Sequence, residues 1–343
     1  MSRAGSNTLL HVARKSKNDE FYTQLSDIES ELDNYRLKFH GKIVYCNCDD
    51  PRVSNFFEYF FQNFKILGLK KLIASCFRAN IKSKPNSIES ERGFYVTYSG
   101  EDVEKSKFLE KNISYFQGDG DFRSQESIEL LKASDVVVTN PPFSLFREYV
   151  YQLVEYEKEF LIIGNINAIT YKEIFKLIKD NVAWLGIKLG RGISGFIVPD
   201  HYELYGTETR IDAGKNRIVS PNNCLWLTNL DHSHRHVDID LTKTFAGNEE
   251  QYLTYDNCDA INVNKTKDIP LDFSGVMGVP ITFLHKFNPD QFEIIRFRKG
   301  DDGKDLSING KCPYFRILVK NRRCKPNFSK CIQSVSCISR KYA

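Results

Sequence analysis

A run of β-branched residues that ends at two consecutive prolines constrains the fold of this chain more than any other feature. Val136–Thr139 has the length and composition of a buried strand. Pro141 and Pro142 then end any hydrogen-bonded ladder, because proline has no N–H to donate. We therefore predict a strand followed by a rigid turn, Asn140-Pro141-Pro142-Phe143. Functional side chains of open α/β sheets lie at the carboxyl ends of strands, which makes this turn the first candidate site.

The turn suits methylation of an amino group attached to a planar ring, whose nitrogen lone pair is delocalised. The amide oxygen of Asn140 and a backbone carbonyl of the proline segment can accept the amino protons and draw the lone pair out of the ring. Phe143 can stack on the ring and hold it at attack distance. No strong general base is needed, since the amino proton becomes acidic once the nitrogen carries the methyl group. A strand terminator without function is an equal alternative for the tetrapeptide taken alone.

Composition predicts a globular protein with no disulfide framework. The 343 residues, 41% hydrophobic and 27% charged, allow one large domain with an appendage or two ordinary domains. No segment has the apolar length of a signal peptide or a membrane span, so we expect a cytoplasmic protein that does not contact a membrane. The nine cysteines include no Cys-x-x-Cys pair, and we expect neither a zinc site nor any other bound metal.

Helical and strand patterns alternate along the chain, which predicts the α/β class. The expected architecture is a doubly wound, mostly parallel sheet that ends in an antiparallel hairpin, because no clear helix separates the last two predicted strands. The residues between those strands, 190–222, form a long insertion at the hairpin tip. The predicted strands are 42–47, 69–76, 136–139, 160–164, 183–189 and 224–230, and residues 93–98 alternate as a possible edge hairpin.

Two motifs match patterns of known binding sites, but we do not expect them to have those functions. Gly190-Arg191-Gly192-Ile193-Ser194-Gly195 matches a dinucleotide-binding fingerprint, but it comes late and runs into a β-rich segment rather than opening a helix. We predict that its glycines permit close backbone approach instead, with Arg191 available to a nucleic-acid phosphate. His232, His234 and His236 alternate, yet polar neighbours favour a loop over a metal site, with contact to nucleic acid as the second interpretation.

Positive charge is concentrated toward the carboxyl terminus. Residues 306–343 hold nine Lys or Arg and no acid, whereas the remainder has 39 basic against 44 acidic residues. Tyr314, Phe315 and Phe328 are interleaved with these cations, as on surfaces that contact phosphates. From charge alone, a solvated basic tail is the slightly favoured interpretation.

Several long strings resemble the EcoRI-type family of adenine-specific DNA methyltransferases, over nearly the whole chain to about residue 323. Together they are far more specific than the tetrapeptide alone. They are Asp19-Glu20-Phe21-Tyr22-Thr23-Gln24, Val44 to Asn55, Gly118-Asp119-Gly120-Asp121-Phe122-Arg123, Asn140 to Phe143, Ser220 to Trp226 and Ile261 to Asp268.

The resemblance implies S-adenosyl-L-methionine as the methyl donor and places its binding site. Asp49 and Asp50 would pair with its ammonium or ribose hydroxyls, although Asn47-Cys48-Asp49-Asp50-Pro51 replaces the usual glycine-rich turn. Asp121 would accept from its adenine amino group while Phe122 packs on the purine. The complete set of implied cofactor residues is Phe21, Tyr22, Thr23, Asn47, Asp49, Asp50, Asp121, Phe122 and Asn140.

The resemblance also implies double-stranded DNA as the substrate, with the target adenine extruded from the stack. It predicts GAATTC as the recognition site, action as a monomer, and protection from a restriction endonuclease that shares the site without needing to bind the chain. Methylation of RNA or protein glutamine is the alternative, and a catalytically inactive DNA-binding module is another. Candidate DNA-binding residues are Arg191, Arg210, Lys215, Arg217, Lys265 and Lys267.

The expected domain organisation follows from these assignments. Residues 1–40 form an amino-terminal segment with the first helix, and residues 41–230 form the methyltransferase domain with insertion 190–222. Residues 231–323 form a DNA-recognition region, and residues 324–343 form a basic tail.

Overall fold

The chain divides into two compact units. A computed structural model describes residues 22–78, 92–189, 193–198, 209–212, 214–220, 223–298, 306–312 and 315–324. The first unit comprises Met1–Ile174 and Ala183–Asp231, and the second comprises Phe175–Val182 and His232–Ala343. Each unit contains its own sheets.

The described part of the first unit combines strands with helices. Ser54 and Ser124 each begin a helix by accepting hydrogen bonds from backbone N–H groups of the first turn. The strands are β1 (Tyr22–Thr23), β2 (Ile43–Cys46), β3 (Lys71–Cys76), β4 (Phe94–Tyr98), β5 (Ser114–Tyr115), β6 (Val136–Thr139), β7 (Glu159–Asn165), β8 (Trp184–Leu189), β9 (Phe196–Val198), β10 (Thr209–Ile211), β11 (Arg217–Val219) and β12 (Cys224–Thr228). The helices are α1 (Leu25–Leu32), α2 (Asn55–Gln62), α3 (Phe64–Leu67), α4 (Lys105–Asn112), α5 (Gln125–Ala133) and α6 (Phe146–Glu155), with 3₁₀ turns at Asp33–Phe39, Phe143–Leu145 and Ile166–Thr170. A seventh helix, α7 (Lys172–Lys179), begins in this unit, and its residues from Phe175 onward group with the second unit.

The main sheet has eight strands in the order β5-β4-β3-β2-β6-β7-β12-β8. The central strands β3, β2, β6 and β7 are parallel. At one end β12 pairs antiparallel with β7 and β8, as the predicted end hairpin requires. The α/β class is confirmed, but the expectation of a mostly parallel sheet is wrong, because β4 and β5 also pair antiparallel. Phe94, Val96 and Tyr98 of β4 are buried in alternation, the pattern of a strand covered on one face.

Helices cover both faces of this sheet. On one face, side chains of α1, α2, α3 and α4 form a continuous core with β2, β3, β6 and β7; Trp226 of β12 lies in the same core. Ile163 of β7 faces that core, so Gly164 faces the opposite side. A Cβ at Gly164 would meet the Phe146 ring of α6 at 2.5 Å, which places α6 against that second face. Helices therefore lie against both faces of the sheet.

A second sheet of the first unit joins the amino-terminal segment to the insertion. Its order is β1-β9-β11-β10, and all three pairings are antiparallel. Gln24 donates to Ser194 Oγ at 2.6 Å and to the Gly195 carbonyl at 3.0 Å. Asp27 of α1 accepts from the Ser194 backbone N–H at 2.9 Å. The described part of 190–222 is thus fastened to the residues beside Tyr22 and Thr23.

The second unit has a five-stranded sheet of its own in the order β13-β14-β15-β17-β16. The β14–β15 pairing is parallel, and the other pairings are antiparallel. The predicted region 231–323 contains this sheet, whereas residues 175–182 were expected in the methyltransferase domain and group with this unit. The strands are β13 (Thr254–Tyr255), β14 (Cys258–Asn262), β15 (Val276–Pro280), β16 (Phe292–Arg298) and β17 (Arg316–Asn321).

In the described residues, none of the helices has the length and apolar character needed to cross a bilayer. The predicted basic tail 324–343 lies outside the described residues apart from Cys324.

Candidate active site

The Asn-Pro-Pro-Phe turn lies beside the turn that follows β2, because β2 and β6 are adjacent parallel strands. Val44 pairs with Val136 and Tyr45 with Val137, so both strands end at the same edge of the sheet. Thr139, the last residue of β6, donates its hydroxyl to the Asn47 carbonyl. The predicted catalytic turn and the predicted cofactor corner are therefore neighbours.

The turn itself is held by burial and by a short helix. Pro141 is buried, and Pro142 leads into the 3₁₀ turn that precedes α6. Phe143 is half-buried and meets Phe196 of β9 edge-to-face, with ring centroids 6.0 Å apart. The small sheet thus forms one wall beside the ring that was predicted to stack on the substrate.

The turn after β2 contains a buried amide in a strained backbone. Asn47 is 1% exposed, and its Oδ1 accepts from Ser75 Oγ at 3.2 Å. Its Nδ2 finds no hydrogen-bond partner among the described residues. Cys48 follows with φ of +67°, a conformation in which glycine is far less strained. The chain therefore makes the tight turn that a glycine-rich segment would make, with a cysteine at the left-handed position.

Asp49 is a buried hub of this corner rather than an open carboxylate. It is 7% exposed, and its Oδ1 accepts from Ser54 Oγ at 2.7 Å. Its Oδ2 bonds Thr139 Oγ1, and its backbone N–H donates to the Ser75 carbonyl at 2.9 Å. Burial raises the pKa of Asp49 to about 7, against the opposing effect of the Thr139 and Ser54 hydrogen bonds. Asp49 thus ties together the ends of β2, β3 and β6 and the start of α2.

Asp50 is paired with arginines. Arg52 binds both of its carboxylate oxygens, with Nε 2.8 Å from Oδ1 and 3.1 Å from Oδ2. Arg78 lies 4.0 Å away, and both guanidinium groups lie over the Phe94 ring. Both carboxylate oxygens of Asp50 are therefore already bound by arginine, at the place where the sequence predicted a cofactor contact.

Asp121 and Phe122 occupy the loop after β5, and the structure gives each a partner within the chain. Arg123 binds the Asp121 carboxylate through Nε at 2.9 Å and Nη2 at 2.7 Å and holds its pKa below the usual range. The same guanidinium reaches Glu148 of α6 at 3.1 Å. Phe122 is 4% exposed and packs against Tyr149, with ring centroids 5.0 Å apart. The ring lies in the core, whereas the sequence predicted it against a purine.

The amino-terminal cofactor segment also reaches this corner. The Thr23 carbonyl accepts from Asn55 Nδ2, at the start of α2, at 2.8 Å. The Thr23 hydroxyl is buried and has no hydrogen-bond partner within the described chain. Tyr22 pairs with Ile197 in the small sheet. Phe21, the third predicted residue of this segment, lies outside the described residues.

The predicted DNA-binding cations fall in both units. Arg210, on β10, bonds Ser220 Oγ at 2.6 Å and the Ser194 carbonyl at 3.1 Å, so it braces the small sheet. Lys215 is exposed in the turn between β10 and β11, and Arg217 lies on β11. Lys265 and Lys267 are exposed in the second unit, and Arg191 lies outside the described residues.

The structure gives Gly195 of the glycine-rich motif a local packing role and places the histidine motif in a turn. Gly195 has φ of +131°, and a Cβ there would come within 2.7 Å of the Val219 carbonyl. The close approach permitted by this glycine is to β11 of the chain itself. His234 and His236 lie in a 3₁₀ turn, not on a strand, and the described residues contain no group of three metal-ligating side chains.

Sequence reasoning missed the polar side chains that hold these groups in place. Thr139 was treated as part of a strand, and Ser75 had no distinguishing signal. Ser54 follows Pro51 at the start of an aromatic helix, which is an N-cap pattern that marks it as a helix start. Arg123 lies two residues after Asp121, a spacing at which an ion pair was foreseeable.

The α/β sheet with Asn-Pro-Pro-Phe at the end of a central parallel strand has the features of an α/β methyltransferase. The family model described as adenine-specific methyltransferase EcoRI matches residues 9–322, and the chain belongs to this family.

Three relatives are similar over nearly their full length. Type II methyltransferase M.EcoRI of Escherichia coli is 68% identical over 323 residues, covering 94% of this chain and 99% of the relative. Type II methyltransferase M.MgeORF184P of Mycoplasma genitalium is 37% identical, with 91% and 98% covered. Type II methyltransferase M.MpnI of Mycoplasma pneumoniae is 36% identical, with 91% and 97% covered. No solved structure matches the chain.

The chain is therefore a DNA adenine methyltransferase of the type II restriction-modification class. This assignment gives adenine in DNA as the substrate, in place of RNA or protein glutamine.

Proposed function

We propose that the chain transfers the methyl group of S-adenosyl-L-methionine to the exocyclic amino nitrogen of an adenine in duplex DNA, at the edge where β2 and β6 end. The observation that carries this proposal is the Thr139–Asn47 hydrogen bond, which places the Asn-Pro-Pro-Phe turn directly beside the turn after β2. Substrate and methyl donor must meet at one place, and these two turns are the sites that each would occupy.

The residues present fit a bound S-adenosyl-L-methionine. The Asn47 amide and the Thr23 hydroxyl are both buried, and the described residues supply no partner for Asn47 Nδ2 or Thr23 Oγ1. An unpaired buried polar atom costs about 1–3 kcal/mol, and a ligand that bonds it removes that cost. Asn47 and Thr23 would therefore hold the cofactor together with Tyr22, Phe21 and the Asn140 turn.

Asp121 and Asp50 keep the cofactor-binding roles predicted from the sequence, whereas we propose a supporting role for Asp49. Asp121, ionised and fixed by Arg123, would accept from the adenine amino group of the cofactor, and Asp50 would act together with its two arginines. Asp49 would shape the corner from beneath. When bound, S-adenosyl-L-methionine supplies a sulfonium-activated methyl group.

Asn140 and Phe143 would act on the extruded adenine. The Asn140 amide oxygen and the Pro141 carbonyl would accept its amino protons, and the Phe143 ring would stack on the base. The six candidate cations, Arg191, Arg210, Lys215, Arg217, Lys265 and Lys267, would contact phosphates or guanine edges. Because its substrate is cellular duplex DNA, we place the enzyme in the cytoplasm.

M.EcoRI shares 68% of aligned residues, so we propose that this chain modifies GAATTC as a monomer and protects that site from a cognate endonuclease. The test is incubation with labelled S-adenosyl-L-methionine and a duplex containing one GAATTC, followed by mapping of N6-methyladenine. A duplex with the inverted order CTTAAG is the control of equal composition. Label on an adenine of GAATTC alone supports the proposal. Methylation at a different motif would reject the site and keep the reaction, and no adenine methylation on any duplex would reject both.

A further inference from the structure

Thr139 makes two hydrogen bonds that require a proton from a neighbouring side chain. Its Oγ1 lies within hydrogen-bonding distance of two oxygens, the Asn47 carbonyl and Asp49 Oδ2. A threonine hydroxyl carries one proton, a carbonyl carries none, and an ionised carboxylate carries none. If Asp49 were ionised, the single Thr139 proton could lie in only one of the two contacts. Thr139 Oγ1 would then face either the Asn47 carbonyl or Asp49 Oδ2 without a hydrogen between the two oxygens.

A neutral Asp49 satisfies both contacts. Its acid O–H would donate to Thr139 Oγ1, and the Thr139 O–H would donate to the Asn47 carbonyl. The remaining oxygen, Oδ1, would still accept from Ser54 Oγ at 2.7 Å. Every oxygen of this buried series then has a partner of the right kind, which is the condition for a stable buried network.

The charges around Asp49 favour the neutral acid. The groups that face it are Asp50, the thiols of Cys46 and Cys48 and, from α6, the Tyr149 hydroxyl, and none of them is a cation. Arg52 is directed at Asp50, and Arg123 is directed at Asp121. Burial raises the pKa of Asp49 to about 7, so the acid is largely protonated below neutral pH.

We propose that Asp49 is a positioning residue for methyl transfer: as a neutral acid it donates to Thr139 and thereby fixes the end of β6, from which Asn140 extends. The inference rests on the proposed function, because it assigns the Asn140 turn to the reaction. Asn140 follows Thr139 directly, so a shift of Thr139 moves the amide that must accept the amino protons. In this role Asp49 acts through Thr139 and needs no contact with substrate or cofactor.

The test uses variants that imitate or remove the donor. Asp49→Asn keeps a donor at every pH, because one amide nitrogen replaces the acid O–H. Thr139→Val keeps the shape and removes the relay, and Thr139→Ser restores the hydroxyl. Asp102→Asn, at an exposed aspartate of the same unit, is the matched control for loss of an acid. Single-turnover methylation rates are measured with saturating cofactor and DNA, alongside the dissociation constants of both.

The expected result is a pH-dependent ratio of rates. The wild-type rate divided by the Asp49→Asn rate falls about tenfold between pH 6 and pH 8, as a group with a pKa near 7 loses its proton. Asp102→Asn follows the wild-type profile. Thr139→Val lowers the rate about tenfold to a hundredfold with cofactor and DNA affinity within about twofold of the wild type, and Thr139→Ser restores it.

Two results would overturn the proposal. One is a wild-type to Asp49→Asn ratio that stays constant from pH 6 to pH 8. The other is a loss of cofactor affinity in Asp49→Asn with no change in rate at saturation, which would make Asp49 an ionised cofactor ligand.

Infrared difference spectroscopy separates this question from activity. At pH 6 a carboxylic-acid C=O band that disappears in Asp49→Asn supports the neutral acid, and its absence overturns the proposal. This readout stands even if the wild type methylates no adenine, an outcome that would reject the proposed function instead.

Discussion

At the scale of single residues, the corner between β2 and β6 is built from buried polar side chains rather than from exposed ones. Asn47, Asp49 and Thr139 are each less than a tenth exposed, and each bonds another member of the group or its backbone. Such a network resists displacement because breaking one bond leaves a buried polar atom unpaired. Rigid placement of Asn140 follows from this arrangement.

The raised pKa of Asp49 predicts how the free energy of unfolding changes with pH. Its pKa is raised from 3.8 unfolded to about 7 folded, so its contribution is fully present below pH 4 and is lost as the pH rises through 7. Relative to Asp49→Asn, which does not titrate, the wild type should lose up to roughly 4 kcal/mol of unfolding free energy between pH 4 and pH 8. Urea denaturation of both proteins at several pH values measures this difference. A difference that grows in favour of the wild type as the pH rises would contradict a raised pKa.

Cys48 predicts a second residue-scale effect, which concerns backbone strain. Cys48 has φ of +67°, which is strained for a residue that carries a Cβ. The glycine variant should therefore be more stable than the alanine variant, because both remove the thiol and only alanine keeps a Cβ. We expect Cys48→Gly to exceed Cys48→Ala by about 1 kcal/mol in unfolding free energy. Equal stability of the two variants in chemical denaturation would show that this turn is unstrained.

At the scale of elements, the small sheet links the amino-terminal segment to the insertion. Tyr22 and Thr23 pair with Ile197 and Phe196, and Phe196 also meets the Phe143 ring. The proposed cofactor segment and the proposed base-stacking ring thus depend on the same strand. A disturbance of β9 should therefore affect binding more than it affects the large core.

Gly195 is the place to disturb β9. A Cβ there would meet Ser220 Oγ at 2.5 Å and the Val219 carbonyl at 2.7 Å, so Gly195→Ala should push β9 away from β11. We expect the dissociation constant of S-adenosyl-L-methionine to rise about tenfold, equivalent to about 1.4 kcal/mol. Gly41→Ala is the control, because Gly41 also has positive φ, +73°, but its Cβ would meet nothing within 4 Å. If both variants bind the cofactor as the wild type does, the small sheet does not hold the cofactor segment.

The sequence predicted some of these elements and not others, for reasons of distance along the chain. Val136–Thr139 and its proline turn were predictable because composition and proline chemistry act locally. The role of Glu31 could not be predicted from the sequence, because its partners lie more than 150 residues away. Glu31 accepts from the Ile187 and Lys188 N–H groups, both at 2.8 Å. Asp49 was predicted at the site but with an open carboxylate, because sequence does not reveal that Thr139 and Ser54 enclose it. The alternation of residues 93–98 predicted a possible edge hairpin, but not the antiparallel pairing of β4 with β3, which depends on residues distant in the chain.

At the scale of the whole molecule, positive charge is concentrated in the carboxyl-terminal residues, and part of that basic stretch lies outside the family match. The carboxyl-terminal residues 306–343 carry nine of the cations, while the remainder of the chain is acidic. The family match ends at residue 322, so the last part of this basic stretch lies beyond it. Methyl transfer and added affinity for phosphates are therefore expected to be separable.

Removal of residues 324–343 tests this separation, since it deletes Lys325, Lys330, Arg340 and Lys341. We expect an unchanged methylation rate at saturating DNA and weaker binding to nonspecific duplex. The slope of log K against log salt should become shallower by about 0.9 for each phosphate that the truncated protein no longer neutralises. Fluorescence anisotropy at several salt concentrations measures the slope, and an unchanged slope would show that the tail does not bind phosphates.

The central claim is that the turn after β6 performs methyl transfer through the Asn140 amide. The most direct measurement is the single-turnover rate of adenine methylation by Asn140→Ala, with cofactor and DNA affinities measured in parallel. We predict a loss of at least about a thousandfold in rate, as for removal of a group that acts on charge in the transition state, with both affinities within about threefold of wild type. Methylation by Asn140→Ala at close to the wild-type rate would contradict the account.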